Sequence, residues 1–344
     1  MLSLRRPAIA AALTLSGALL LTACSSTTPA SDGGSAGGGG FPVTVEHAYG
    51  ATEVPEQPER VATVAWGNQD VALALGVVPV GMPFVTYADD NGDGILPWVQ
   101  DALDELGGET PELFDEVDGI NFEQVADTAP DLILGANSGL TEEEYQTLTE
   151  IAPTVSFPGE PWLVDWREST TLNGAALGLA DEADELVADT EQLIADAAAA
   201  HPELQGTTFA YLWVDPGDTS SVYVYLPEDA RVSFLADLGM EPSAGVQQLA
   251  AENEGQFFAT LTAENLDVLA DADIILNYGG EDTLAAMQAE PLLGALPAVQ
   301  AGAVAIVTES DALAAAMTTP TVLSIPWGID EYTQILADAA AKVQ

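Results

Sequence analysis

Cysteine is almost missing from this chain of 344 residues: Cys24 is the only one. A lone cysteine excludes internal disulfides and cysteine-ligated zinc. Histidine is nearly as scarce. His47 lies on an N-terminal strand and His201 beside Pro202. A histidine-rich site for manganese or zinc is therefore not on offer, both residues are read as non-ligands, and no metal held directly by the protein is expected. Lysine and arginine together number six, against 55 aspartates and glutamates. That balance excludes nucleic acid as a partner, because such binding needs basic surface. It fits a surface set for solubility, as in a saline medium. The chain also lacks a GxSxG elbow, a Walker phosphate loop, an HExxH pair and a catalytic cysteine. Carboxylates abound, but none stands out as an acid/base pair, so no enzyme is expected.

What is present begins with the N-terminus. Arg5-Arg6 precede an apolar run from Pro7 to Leu21, followed by Leu21-Thr22-Ala23-Cys24. This is the layout of a secretory leader. The run is short of the roughly 20 residues needed to span a bilayer. The four residues resemble the bacterial lipobox, which implies that Cys24 is lipidated (diacylglycerol, palmitate) and becomes the first mature residue. Residues 25–40, rich in Ser and Gly, read as a flexible tether. The expected place is the extracytoplasmic face of the cell membrane, lipid-anchored. Loss of the leader removes Arg5 and Arg6, leaving Arg60, Arg167, Arg231 and Lys342 as the only cations.

The body alternates strand-like and helix-like patterns, which argues an α/β fold. In the first half, buried strands are expected at Arg60 to Trp66, Val77 to Met82, Asp131 to Gly135 and Thr154 to Phe157. Helices lie between them, and Leu113 to Asp118 reads as irregular. In the second half, strands are expected at Thr208 to Val214, Ser221 to Tyr225, Asp273 to Asn277 and Ala303 to Val307. Between the halves, Leu172, Ala176, Leu179, Ala183, Leu186, Thr190, Leu193 and Ala197 recur at helical spacing. Pro161 and Pro202 bracket this stretch. The expectation is two Rossmann-like lobes with parallel-type sheets, 41–161 and 201–344, joined by one long rigid helix over 162–200. Asn173-Gly174 is the place where that helix would break.

The pieces PERVATVAWGNQDVALALGVVPVGMP, INFEQVADTAPDLILGANSGL and LTEIAPTVSF resemble the substrate-binding proteins of ABC importers for ferric siderophores, haem and cobalamin. The likeness runs from about Val43 to the C-terminus. It implies two lobes joined by a helix, capture of a ligand between them, delivery to a permease and its ATPase, and a monomer. Glu123 and Glu264 each open a short helix shortly before a buried strand. By themselves they are acids in a favourable first turn. The resemblance implies that one glutamate per lobe docks on the permease.

Ligands of parallel α/β sheets lie beyond the carboxyl ends of the strands. The loops that would face a cleft carry Trp66, Asn68, Tyr87, Trp166, Tyr223, Tyr225 and Tyr278, with Arg167 and Arg231 as the available cations. Aromatic walls with a few polar groups suit a bulky organic chelate. So few cations favour a neutral or cationic ferric hydroxamate over a trianionic catecholate. Haem lacks an evident axial histidine, and cobalamin stays open. Asp89 to Gly94 resembles the first half of a calcium loop, but Gln100 holds the position of the bidentate glutamate, so a turn is expected.

Overall fold

The computed structural model describes residues 40–343, apart from residues 90 and 216–217. The leader, Cys24 and most of the tether lie outside the described residues. A hairpin of β1 (Val43–His47) and β2 (Gly50–Val54) comes first. Then follow β3 (Val61–Thr63), α1 (Asn68–Ala74), β4 (Gly81–Pro83), α2 (Pro97–Leu106), β5 (Glu112–Phe114), α3 (Phe122–Asp127), β6 (Leu132–Leu134), α4 (Glu142–Thr149) and β7 (Thr154–Val155). Strands β3 to β7 form one parallel sheet in the order β5-β4-β3-β6-β7. Its strands read as continuous apolar runs because both faces are covered. Leu132 and Leu134 turn to one core with Val61, Val45 and Ala176. Ile133 turns to the other with Ala62, Phe114, Val125 and Leu148. That two-residue alternation is the pleat, and each such side chain contributes about 1.5–3 kcal/mol when fully buried.

Of the segment expected to be irregular, Leu113 and Phe114 belong to the edge strand β5 whereas Asp115 to Asp118 carry no regular structure, and α2 was not anticipated. Proline at the first position of α2 is well suited to a helix start.

The connection is helical but is not one rod. It is α5 (Trp166–Ala176) followed by α6 (Ala180–Ala200). The break falls at Gly178, not at Asn173-Gly174. Gly178 has φ +72°. Its N–H donates to the Ala175 carbonyl at 3.0 Å, and the Leu179 N–H to the Gly174 carbonyl at 2.8 Å. This pair of bonds is the Schellman stop, which needs a left-handed residue. Gly174 lies inside α5, and Ala183 packs against it where a Cβ would collide.

The second sheet is built from β8 (Thr208–Asp215), β9 (Asp218–Tyr225), β10 (Glu241–Pro242), β11 (Phe258–Thr262), β12 (Ile274–Gly279) and β13 (Val304–Thr308). Its order is β11-β9-β8-β12-β13, with β10 beside β8. The parallel-type sheet expected here is mixed. Strand β9 runs antiparallel to β8 and β11, whereas β8, β12 and β13 are parallel. The short link between β8 and β9 decides this, since a parallel crossover takes a dozen or more residues. Helices α7 (Ala230–Asp237), α8 (Ala244–Glu252), α9 (Thr283–Ala289), α10 (Pro297–Ala301), α11 (Ala312–Thr318) and α12 (Ser324–Ala340) complete the lobe. The segment opened by Glu264 is a 3-10 helix, Ala263–Leu269.

Candidate ligand-binding cleft

The carboxyl ends of β3, β4 and β5 lead into the loops that carry Trp66, Phe84, Tyr87 and Glu116. These residues, with Asp70 and Trp98, line a cavity of about 290 Å³ that Ala315, Thr319 and Thr321 of the second lobe close. A second cavity of about 270 Å³ adjoins it and shares Trp66 and Thr319. Its other walls are Asn137, Trp162, Asp229, Arg231, Phe257 and Thr318. Trp66 is 42% exposed, an unusual state for a tryptophan next to a core strand. Its ring centroid lies 6.2 Å from that of Tyr87.

Arg231 is the cation of this cleft. Its Nε donates to Asp229 Oδ1 at 2.7 Å, and its guanidinium sits 3.7 Å over the Tyr225 ring. Its Nη1 lies 3.4 Å from the Tyr278 hydroxyl, which is 2.7 Å from Thr318 Oγ1. Burial opposes its charge, but Tyr278, Asp229 and Tyr225 outweigh burial and raise its pKa. A cation at a helix N-terminus is unfavourable; Asp229, the N-cap of α7, and the Tyr225 π face compensate here. Burial likewise pushes the phenols of Tyr225 and Tyr87 upward. Both stay neutral near pH 7 and can donate hydrogen bonds to an anionic oxygen.

Asp70 sits in the first turn of α1 and is 1% exposed. Its Oδ2 accepts from Trp98 Nε1 at 2.7 Å and from Thr321 Oγ1 at 2.6 Å. The second bond ties the first lobe to the second. Its Oδ1 is buried with no hydrogen bond of good geometry, although the Gln69 side chain lies close enough to favour the ionised carboxylate. Burial pushes this carboxyl up to about 6 despite those bonds. Glu116 Oε2 accepts from the Ala65 N–H at 3.0 Å, and its Oε1 is also buried and unpartnered. Burial pushes it up to about 7. Ala65 (φ +60°) and Trp162 (φ +65°) hold left-handed backbone without being glycine. Such strain gathers at functional sites, and both residues border the cleft.

Of the residues singled out from sequence, Trp66, Tyr87 and Arg231 line the cavities, and Tyr225 and Tyr278 pack under Arg231. Four others reach neither wall. Asn68 is fully buried. It donates to the carbonyls of Val64 and Asn137 at 2.9 and 3.0 Å and accepts from Asn173 Nδ2 at 3.0 Å, so it shapes the loops from behind. Trp166 is buried, with its Nε1 3.3 Å from Asp237 Oδ2. Arg167 pairs with Glu191 at 2.7 Å and Asp237 at 2.8 Å, clamping α5 to α6 and α7. Tyr223 shares a strand face with Tyr225 but packs with Trp213 and Phe258. Asp70, Glu116 and Trp162 were not singled out. Only the exposed tryptophan in a Pro-Gly loop left a signal, and the two acids were hidden among 55.

Outside the cleft, His47 is buried, 2.9 Å from Thr52 Oγ1, and His201 meets Glu203 at 3.2 Å. In the Asp89 loop the carboxylates accept from backbone N–H groups: Asp89 from Gly92 and Gly94, Asp93 from Ile95. Glu123 and Glu264 are exposed in the first turns of α3 and of the 3-10 helix.

The sequence pattern described as periplasmic binding protein matches residues 61–310. The chain belongs to the periplasmic binding protein family. Within that family it is similar to PiaA of Streptococcus pneumoniae TIGR4, whose crystal structure holds ferrichrome. The TM-score is 0.84 and the identity 39%, covering 88% of this chain and 100% of that one. A periplasmic solute binding protein of Mycobacterium smegmatis matches with a TM-score of 0.71 and 28% identity, over 87% and 98% of the two chains. The probable siderophore-binding lipoprotein YfiY of Bacillus subtilis (strain 168) is 27% identical over 244 residues, 68% of each chain.

Proposed function

We propose that this chain is a membrane-anchored solute-binding protein that captures a ferric siderophore between its lobes and delivers it to an ABC permease. The observation that carries this reading is the double cavity at the strand ends, walled by Trp66, Tyr87, Trp162 and Arg231, in a chain 39% identical to a protein crystallised with ferrichrome. Aromatic faces bury the organic shell of a chelate, and Arg231 with the Tyr87 phenol addresses the oxygens around iron. Arg231 is the only cation on the described cavity walls and is already paired with Asp229. Arg167 is occupied elsewhere, and Arg60 donates to the carbonyls of Ala129 and Thr128. A triply charged catecholate would find too little positive charge, so a hydroxamate is the preferred cargo. Lipid on Cys24 and the tether hold the body at the extracytoplasmic face. Glu123 and Glu264 meet the permease. The protein binds as a monomer and releases its ligand unchanged.

Tryptophan fluorescence of the chain titrated with ferrichrome, a ferric catecholate, haem and cobalamin tests the reading. Saturable quenching by ferrichrome, and not by its iron-free form, is expected. Response to haem or cobalamin alone would replace the cargo; silence with all four would sink the proposal.

A further inference from the structure

The two cavities differ in charge. Arg231 belongs to one. The other has no cation on its wall, but it has the buried Asp70 and the half-buried Glu116 with four aromatic rings: Trp66, Phe84, Tyr87 and Trp98. Each acid spends one oxygen on protein donors and keeps the other buried with no hydrogen bond of good geometry. A buried carboxylate oxygen without a partner is costly. Asp70 is held there by bonds from both lobes, so it cannot turn to water without breaking the junction. Aromatic faces beside carboxylates are the chemistry that recognises an ammonium group, through cation–π attraction and charge-assisted hydrogen bonds. At about 290 and 270 Å³ neither cavity alone reaches the size of whole-ligand pockets, roughly 300–1,000 Å³. A chelate spans both, with its iron core beside Arg231 and one arm toward the acids.

We infer that the cavity between Asp70 and Glu116 receives an alkylammonium arm, so that the preferred cargo is a cationic hydroxamate chelate. This rests on the siderophore reading above. Neutral chelates fill the Arg231 cavity and leave the acids unpaired. Cationic ones satisfy both.

The test uses the full chain in detergent and two chelates with the same iron core. Ferrioxamine B carries a free ammonium group; its N-acetyl derivative does not. The unaltered protein is expected to bind ferrioxamine B at least tenfold more tightly than the acetylated form. In Asp70→Asn and in Glu116→Gln that ratio is expected to fall below about threefold. Asparagine keeps an acceptor for Trp98 and Thr321, and Glu116→Gln serves if the first variant does not fold. Equal affinities for the two chelates would overturn the inference, as would an undiminished ratio in both variants. If neither chelate binds, the ferrichrome titration above decides the siderophore reading separately, and pentylammonium decides the cavity through saturation-transfer NMR. A signal that both variants abolish supports the cavity's role; no signal overturns it.

Discussion

Arginines 231 and 167 show how a residue's partners divide roles that sequence position leaves open. Both sit near the start of a helix, where a cation is out of place. Arg231 lies over Tyr225 and faces the cleft. Arg167 bridges Glu191 and Asp237. Arg231→Ala is expected to weaken ferric hydroxamate binding at least tenfold in a fluorescence titration. Arg167→Ala is expected to change that affinity by less than about threefold and to cost about 1 kcal/mol in urea unfolding. That figure is kept low because Glu191 is half exposed and solvent screens the pair. Equal losses of affinity in the two variants would place Arg167 in the cleft after all. Asn68 teaches the same lesson: it stands in the cleft-lining stretch of sequence, yet its amide is consumed by Val64, Asn137 and Asn173.

At the scale of the element, the connection between lobes turns on two glycines four residues apart. Sequence periodicity runs through both, because a Schellman stop does not disturb the apolar stripe on either side. Gly178 is the stop, since it alone of the two has a positive φ. Gly178→Ala would strain that backbone and drive a Cβ into the Phe41 ring. A loss of roughly 1–3 kcal/mol is expected in denaturant unfolding. A loss below about 0.5 kcal/mol would mean that the stop is not needed. The strands β3 and β6 were legible because each is a short apolar run covered on both faces. Strand β5 was not, because Glu112 and Leu113 lie on the open edge and carry no such run.

Over the whole molecule, acid charge dominates and its effect on stability has a definite sign. Asp70 and Glu116 have folded values of about 6 and about 7 against ordinary values of 3.8 and 4.5. The folded state therefore holds their protons where the unfolded chain has lost them. Their stabilising contribution is complete below about pH 4 and is lost as pH rises through 6 and 7. Repulsion among the surface acids acts in the same direction. The melting temperature of the free protein is expected to fall between pH 4.5 and 7.5. In Asp70→Asn with Glu116→Gln that fall should be shallower, and salt should raise the midpoint at pH 7.5 through screening. An unchanged slope in the double variant would show that these two carboxyls do not titrate as placed.

The sequence by itself determined the α/β class, the family resemblance and the loops that would meet at a cleft. Apolar periodicity and turn residues are local, so they survive in one dimension. Only the tertiary structure decided which cation faces the cleft, because pairing of Arg167 with Asp237 spans 70 residues and no local pattern announces it. The same holds for the acids of the cleft. Asp70 becomes a buried, lobe-bridging carboxylate only when Thr321, 251 residues away, closes over it.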